Sequence, residues 1–414
     1  MLAIATLAPF RFDFTPPGLG RRLENALAIG YSTATAVDAI LNVVLFAGWG
    51  ALWAATSRPA PLGRALRLPM ITGAALSLAA ETLQIFVPAR RPSLLDVVTN
   101  TAGSVLGATV VALAVLAAQT VRQRKSYFGL PAGGFAGAYL GAALAEALLP
   151  FQPAALLPSA RGNPLHRMRS VVATFEWSSI WRIPLTDVVL FFPFGALAVM
   201  ALVELGWTHW RAARHVIGWG GLLSLAVELA HGPLGLPIQL GSALAHVVGI
   251  ALGAAVCAQW LPAFSRRVRG RGRPAVLLVA YAVLVALWAW RPFVLETNPE
   301  TLRQQLSLER LVPLQGLASR TDFFSVAEVV KPFFLFFPLG ALLGVWPLRR
   351  RGALGYCLPA LYLATVTELG QGFVEGRFFD GTDMLIQCAA AGIGWAVVRQ
   401  AGYAEHGGVL EVNP

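Results

Sequence analysis

Charge is scarce in this chain. Asp, Glu, Lys and Arg together make up 13% of its 414 residues, where a soluble domain carries roughly 25%. A soluble protein with an ordinary charged surface is thereby excluded. Cysteine is scarce too. Cys257, Cys357 and Cys388 each fall inside an apolar run, with no metal-like spacing, so no disulfide framework is indicated. Residues 1–8 are apolar but too few, and no positive stretch precedes them, so no cleavable signal peptide is expected.

What the chain has instead is apolar residues, 56% of the total. They come in runs of about 17–22, the length of a helix that crosses a bilayer core of roughly 30 Å. Eleven spans are expected, near 40–57, 68–87, 94–118, 129–149, 185–206, 214–230, 240–262, 274–291, 332–347, 353–373 and 383–400. The net charge of +11 does not point to nucleic acid, because the basic residues lie in short clusters between apolar runs, as topological anchors do.

Alternate loops differ in sign. One set holds Arg58, Arg64 and Arg67, then Arg122, Arg124 and Lys125, then Arg211 and Arg214. It continues with Arg266, Arg267, Arg269, Arg271 and Arg273, then Arg349, Arg350 and Arg351, with no acidic residue among them. In the other set, segment 292–331 is near neutral and loop 374–382 is net acidic. The positive-inside rule places the basic loops and the C-terminus in the cytoplasm. Arg90, Arg91 and the Arg-bearing loop 150–184 run against that bias.

Self-comparison yields a period of about 140 residues. An apolar run ends in Pro-Phe three times, at Pro9-Phe10, Pro150-Phe151 and Pro292-Phe293. A helix opening follows each: Asn42, Phe46 and Gly50; then Asp187, Phe191, Pro193 and Gly195; then Pro332, Phe336, Pro338 and Gly340. The next helix carries Glu81 and Gln84, Glu228 and His231, or Glu368 and Gln371. A fourth opens with Asp96, Asn100, Gly103 and Gly107. Its counterparts are Ser242, His246, Gly249 and Gly253, then Asp383, Gln387, Ala390 and Gly394. From the Glu to the Asp position is 15, 14 and 15 residues, a register that chance similarity among Leu/Ala-rich helices would not keep. The fold class expected is an all-α, polytopic transmembrane bundle of about eleven helices in three tandem four-helix units, 1–125, 126–273 and 274–414. Eight residues before Pro9 cannot cross a membrane at 1.5 Å per residue, so the expectation is either that the true start lies upstream or that the first unit has lost its opening helix.

At these residues the chain resembles the VanZ-like family of bacterial membrane proteins. The family pattern is an N-x-x-x-F-x-P-x-G helix, an E-x-x-Q helix end and a D-x-x-x-N-x-x-G-x-x-x-G helix. The first copy supplies nearly all of it, with Gly48 where proline is usual. The second departs at Asp187, His231, Ser242 and His246, and the third at Pro332 and Gln387. The family is named for a protein associated with resistance to the glycopeptide teicoplanin, so the resemblance implies a role at the cell envelope, in the bacterial inner membrane.

Helix periodicity puts Glu81 and Gln84 on one face, and Asp96, Asn100, Gly103 and Gly107 on another. With Glu368, Gln371, Asp383 and Gln387 they are expected toward the outer leaflet. Two readings of these eight polar residues stay open. One is a pocket for a lipid head group or lipid-linked glycan, with Arg90 or Arg377 on phosphate, since an intramembrane acid points to function. The other is structural: Ser93 to Asp96 and Asp380 to Asp383 read as helix N-termini, and a Glu–Gln–Asn network can lock helices together. Gly103/Gly107 and Gly249/Gly253 read as close-packing positions. Glu228, His231 and His246 read as a substituted hydrogen-bonding network in preference to a zinc site. No metal, cofactor or nucleic-acid partner is expected. Trp177 and Trp181 read as interfacial aromatics. A binding or accessory protein is preferred over an enzyme with Glu81 or Glu368 as base and over a small-molecule transporter.

Overall fold

The computed structural model describes residues 12–14, 20, 33–57, 62–87, 92–122, 132–148, 184–231, 238–267, 272–291, 293–307, 323–345 and 353–401. Pro9-Phe10, Pro150-Phe151, Arg90, Arg91, Trp177 and Trp181 lie outside these residues, as does any opening helix of the first unit.

Among the described residues the regular structure is all helical. The helices are α1 (Thr33–Thr56), α2 (Leu62–Gln84), α3 (Leu94–Arg122), α4 (Ala132–Leu148), α5 (Leu185–Glu204) and α6 (His209–His231). They continue with α7 (Leu240–Arg267), α8 (Gly272–Ala289), α9 (Pro299–Gln305), α10 (Phe323–Val345), α11 (Ala353–Gln371) and α12 (Gly381–Gln400). All but α9 fall on the expected spans. Five of them, α1, α3, α5, α7 and α12, contain stretches long and apolar enough to cross a membrane, and α4, α8 and α10 contain shorter apolar stretches. The chain is therefore a multi-pass helical membrane protein. The remaining long helices, α2, α6 and α11, are the ones that carry Glu81, Glu228 and Glu368.

Three trios share one packing scheme: α1–α3, α5–α7 and α10–α12. In each, the first and third helices pack along a seam of small residues. A Cβ on Gly50 would overlap the Ser104 carbonyl, one on Gly103 the Val43 carbonyl, and one on Gly107 the Ala47 carbonyl. Gly195, Gly249 and Gly253 meet the carbonyls of Ile250, Val188 and Phe192 in the second trio, and Gly340 and Gly394 those of Ala391 and Phe337 in the third. Backbone rests on backbone, as in small-residue seams of membrane helices.

Specific contacts tie α4 and α8 to the second and third trios, and the third trio to the first. Tyr139 of α4 donates to the Leu190 carbonyl at 2.6 Å, and Tyr281 of α8 to the Leu335 carbonyl at 2.9 Å. Each buried hydroxyl thus finds its partner three residues before a helix proline, Pro193 or Pro338. Ile393, Ala396 and Val397 of α12 share a buried cluster with Ala51, Ala54 and Ala55 of α1 and with Ala108 and Val111 of α3. The amide of Gln400 donates to the carbonyls of Ala54, Ala55 and Ser57 at 2.8, 2.5 and 2.9 Å, which closes the C-terminal end of α1, where carbonyls lack intrahelical donors. Gln400→Leu is expected to cost about 1–2 kcal/mol, read as a lower unfolding temperature in mild detergent.

Outward faces carry leucine, valine and tryptophan at helical spacing, for example Leu106, Val110 and Leu113 on α3 and Leu222, Leu225 and Leu229 on α6. That is the surface lipid tails would cover.

Two elements differ from the sequence expectation. Helix α10 begins at Phe323, nine residues before the expected start at Pro332, and runs through both Pro332 and Pro338. A proline removes one backbone hydrogen bond, and membrane helices absorb that loss when neighbours supply donors. The short α9 was not expected. Its N-cap, Asn298, accepts from the Glu300 amide, and Pro299 occupies the first turn, a favourable start for a helix.

Candidate functional site

A helix start leaves its first amides without partners inside the helix. In all three trios the glutamate of the middle helix fills that need across the turn. Glu81 accepts from the Ser93 amide at 2.8 Å, Glu228 from the Gln239 amide at 3.0 Å, and Glu368 from the Asp380 amide at 3.4 Å. Each donor is the residue immediately before α3, α7 or α12. In a capping box a helix's own third residue does this job. Here the preceding helix does it, and each glutamate acts as a staple between two antiparallel helices. All three glutamates are buried.

The third trio carries the fullest network. The Glu368 carboxylate also accepts from Gln371 Nε2 at 3.1 Å and from Gln387 Nε2 at 2.5 Å. The Thr367 hydroxyl donates to Gln387 Oε1 at 3.5 Å. Glu368, Gln371 and Gln387 therefore form one cluster. Asp380 caps α12 by accepting from the Thr382 amide at 2.7 Å. Asp383 lies half-buried in the first turn of that helix, where a negative charge complements the dipole.

In the first trio Asn100 Nδ2 donates to the Ser77 hydroxyl at 2.8 Å, one turn below Glu81. Asn100 Oδ1 is buried and, among the described residues, has no hydrogen-bond partner. Gln84 is buried. Asp96 is half-buried, takes a side-chain hydrogen bond from Asn42 and lies near Asp38. Glu81, Asn100 and Asp96 thus occupy the facing ends of α2 and α3, as their spacing implies.

In the second trio His231 and His246 go to different partners. His231 Nδ1 lies 3.2 Å from Glu228 Oε2, and its Nε2 lies 3.1 Å from the Ala147 carbonyl of α4. His246 Nε2 lies 3.7 Å from Asp187, its ring packs on Phe191 with centroids 3.9 Å apart, and its Nδ1 is buried with no hydrogen-bond partner among the described residues. Among the described residues no group of three or more His, Cys, Asp or Glu is placed to hold a metal ion.

The same end of the bundle is closed by a recurring extended contact. The Asp13 amide donates to the Phe86 carbonyl at 2.7 Å, and the Glu296 amide to the Phe373 carbonyl at 2.9 Å. Asp13 and Glu296 each follow a Pro-Phe proline by four residues, and Phe86 and Phe373 each follow a staple glutamate by five.

A cluster that sequence reasoning missed lies between the second and third trios. Glu146 near the end of α4 pairs with Lys331 Nζ of α10 at 2.9 Å. Arg291, just past α8, holds Nη2 at 3.9 Å from the same carboxylate. The Arg291 guanidinium lies over the Trp288 ring, 4.8 Å from its centroid, and its Nε donates to the Trp288 carbonyl at 3.2 Å. Arg377, expected on a ligand phosphate, donates through Nε to the Arg291 carbonyl at 3.3 Å. The available signal was three charged residues at the ends of apolar runs. Nothing in their spacing says that they meet.

A family model described as VanZ/LLP1 matches residues 4–115 and again residues 276–402. The first match takes in α1, α2 and most of α3, and the second α8 to α12. No curated protein and no solved structure matches the chain.

Proposed function

Since the chain belongs to the VanZ/LLP1 family, we propose that it is a multi-pass envelope protein that holds a lipid head group or lipid-linked glycan in the outer leaflet of the bacterial inner membrane. Its C-terminus is then cytoplasmic, on the side of the basic loops, and its three units are 1–125, 126–273 and 274–414.

The observation that carries the reading is the tiering of acids at one end of the bundle. Glu81, Glu228 and Glu368 are buried and bonded to the starts of the following helices. Asp96, Asp187 and Asp383, at the adjoining helix starts, are only half-buried. Half-buried carboxylates accept hydrogen bonds from sugar hydroxyls or head-group ammonium. The first tier shapes the rim, and in the first and third trios the second tier faces the ligand, Asp187 of the second trio being engaged by His246 and Ser242. Of the eight polar residues read from the sequence, Asp96 and Asp383 are thus ligand-facing. Glu81, Gln84, Asn100, Glu368, Gln371 and Gln387 support them from below.

A general base must reach the proton that it removes. The Glu368 oxygens are both engaged, which favours binding over an enzyme that uses this residue. A part in tolerance of teicoplanin belongs to the same proposal and rests on the family resemblance.

The test is lipid co-purification. Asp96→Asn combined with Asp383→Asn should extract from membranes at the yield of the parent. A ligand seen by mass spectrometry on the parent should fall at least about tenfold in the variant, as expected when charge-assisted hydrogen bonds are lost. An unchanged ligand load on the folded variant would sink the reading.

A further inference from the structure

We infer that Arg291, Lys331 and Arg377 form a binding site for a phosphate group at the outer end of the second and third trios. The inference deepens the reading above and rests on it for the carrier, a lipid. The site itself is argued from its own geometry.

Basic residues at this end run against the charge bias of the loops. Three of them nevertheless converge. Lys331 bonds Glu146 directly, Arg291 reaches the same carboxylate only at 3.9 Å, and Arg377 lies within electrostatic reach of both Glu146 and Arg291. The nearby acids are committed elsewhere. Asp187 is engaged by His246 and Ser242, Glu228 by the Gln239 amide and His231, and Glu296 by the Asn298 amide at 2.8 Å. Among the described residues Glu146 is the carboxylate paired with Lys331 and Arg291, while Asp187 acts on Arg291 and Glu368 on Arg377 only at longer range.

Arg291 gives the site its direction. Its Nε is bound to the Trp288 carbonyl and its face lies on the Trp288 ring, which fixes the plane of the fork. Nη2 is buried and, among the described residues, finds no hydrogen-bond acceptor. A buried cationic donor without an acceptor is costly, and a tetrahedral oxyanion is the group that a planar arginine fork fits. Lys331 and Arg377 supply charge on either side. Arg377 also lies near Glu368, so the site borders the ligand-facing end of the third trio.

The probe is farnesyl phosphate, titrated into the purified full chain in mild detergent and read by native mass spectrometry, with farnesol and inorganic phosphate as separate arms. Farnesyl phosphate should bind and farnesol should not. Binding of inorganic phosphate as tight as that of farnesyl phosphate would place the ligand in water and overturn the lipid carrier. Arg377→Gln, on a half-buried loop position, should weaken binding about tenfold. Glu146→Gln should strengthen it several-fold, because the competing carboxylate is gone. An ion-pair lock with no ligand would show no farnesyl phosphate binding, or an affinity that neither variant moves, and either result overturns the site. The probe carries no sugar, so its binding is independent of the outcome for Asp96 and Asp383.

Discussion

Gly253→Leu should abolish the folded protein. A Cβ at this position would overlap the Phe192 carbonyl, and a backbone carbonyl, unlike a flexible side chain, cannot swing aside. The α5–α7 seam would have to open along its length, because Gly249 and Gly195 set the same separation on either side. Tyr139 would then lose the Leu190 carbonyl that its buried hydroxyl needs. Overpacking a tight site costs about 1–3 kcal/mol and sometimes more. With two backbones forced apart, the cost is expected to exceed that range and to reach about 5 kcal/mol, the low end of native stability. Size-exclusion behaviour in mild detergent and the unfolding temperature would report it. Gly48→Ala is the matched control, since a Cβ there meets nothing within 4 Å. It should be neutral or stabilising by up to about 1 kcal/mol, the helix gain of alanine over glycine. A folded, monodisperse Gly253→Leu protein would refute the close-packed seam.

Glu368→Ala should be the most damaging of the polar substitutions. It removes one acceptor and strands three donors: the amides of Gln371 and Gln387 and the backbone N–H of Asp380. Each buried donor left unmet costs about 1–3 kcal/mol, and one or two of them can turn to other partners, so a net loss of about 3–5 kcal/mol is expected. Hydrogen exchange would localise the effect. Protection at the first turn of α12 should fall before that of α10, which is held by its own seam. Thr367→Val removes a long contact of 3.5 Å to Gln387 and the hydroxyl's bonds at 3.0 Å to the Leu363 and Ala364 carbonyls of its own helix, and should cost less than about 1 kcal/mol. Equal losses for the two variants would show that Glu368 is not the hub of its network.

The helices were legible because a bilayer imposes length and apolarity together, so each run announces one span. The staple residues were legible through recurrence, since Glu81, Glu228 and Glu368 keep their distance to the following helix. Their chemistry was not. The spacing placed them near a helix start without saying that the carboxylate bonds the backbone there. The early start of α10 was hidden by Pro332, which reads as a boundary in water and is carried inside a helix here. The start of α9 is written in Asn298-Pro299-Glu300, a short capping signal in a segment with no long apolar run. The Glu146 cluster was illegible for a different reason. Its charges come from α4, α10 and two interhelical segments, and no local pattern links residues so far apart in the chain. The paired tyrosines lie between. Tyr139 and Tyr281 both precede a Pro-Phe proline by 11 residues, a regularity that gains meaning only with their carbonyl partners known.

The glutamate staple also sets an order of events during synthesis. In each trio the carboxylate leaves the ribosome 11 or 12 residues ahead of the amide that it will bind. A helix bearing an unmet acid is a poor candidate for release into lipid on its own. Such a helix gains by waiting at the insertion machinery until the next turn has emerged and the bond can close. α2 with α3, α6 with α7 and α11 with α12 would then enter the bilayer as hairpins, two helices at a time.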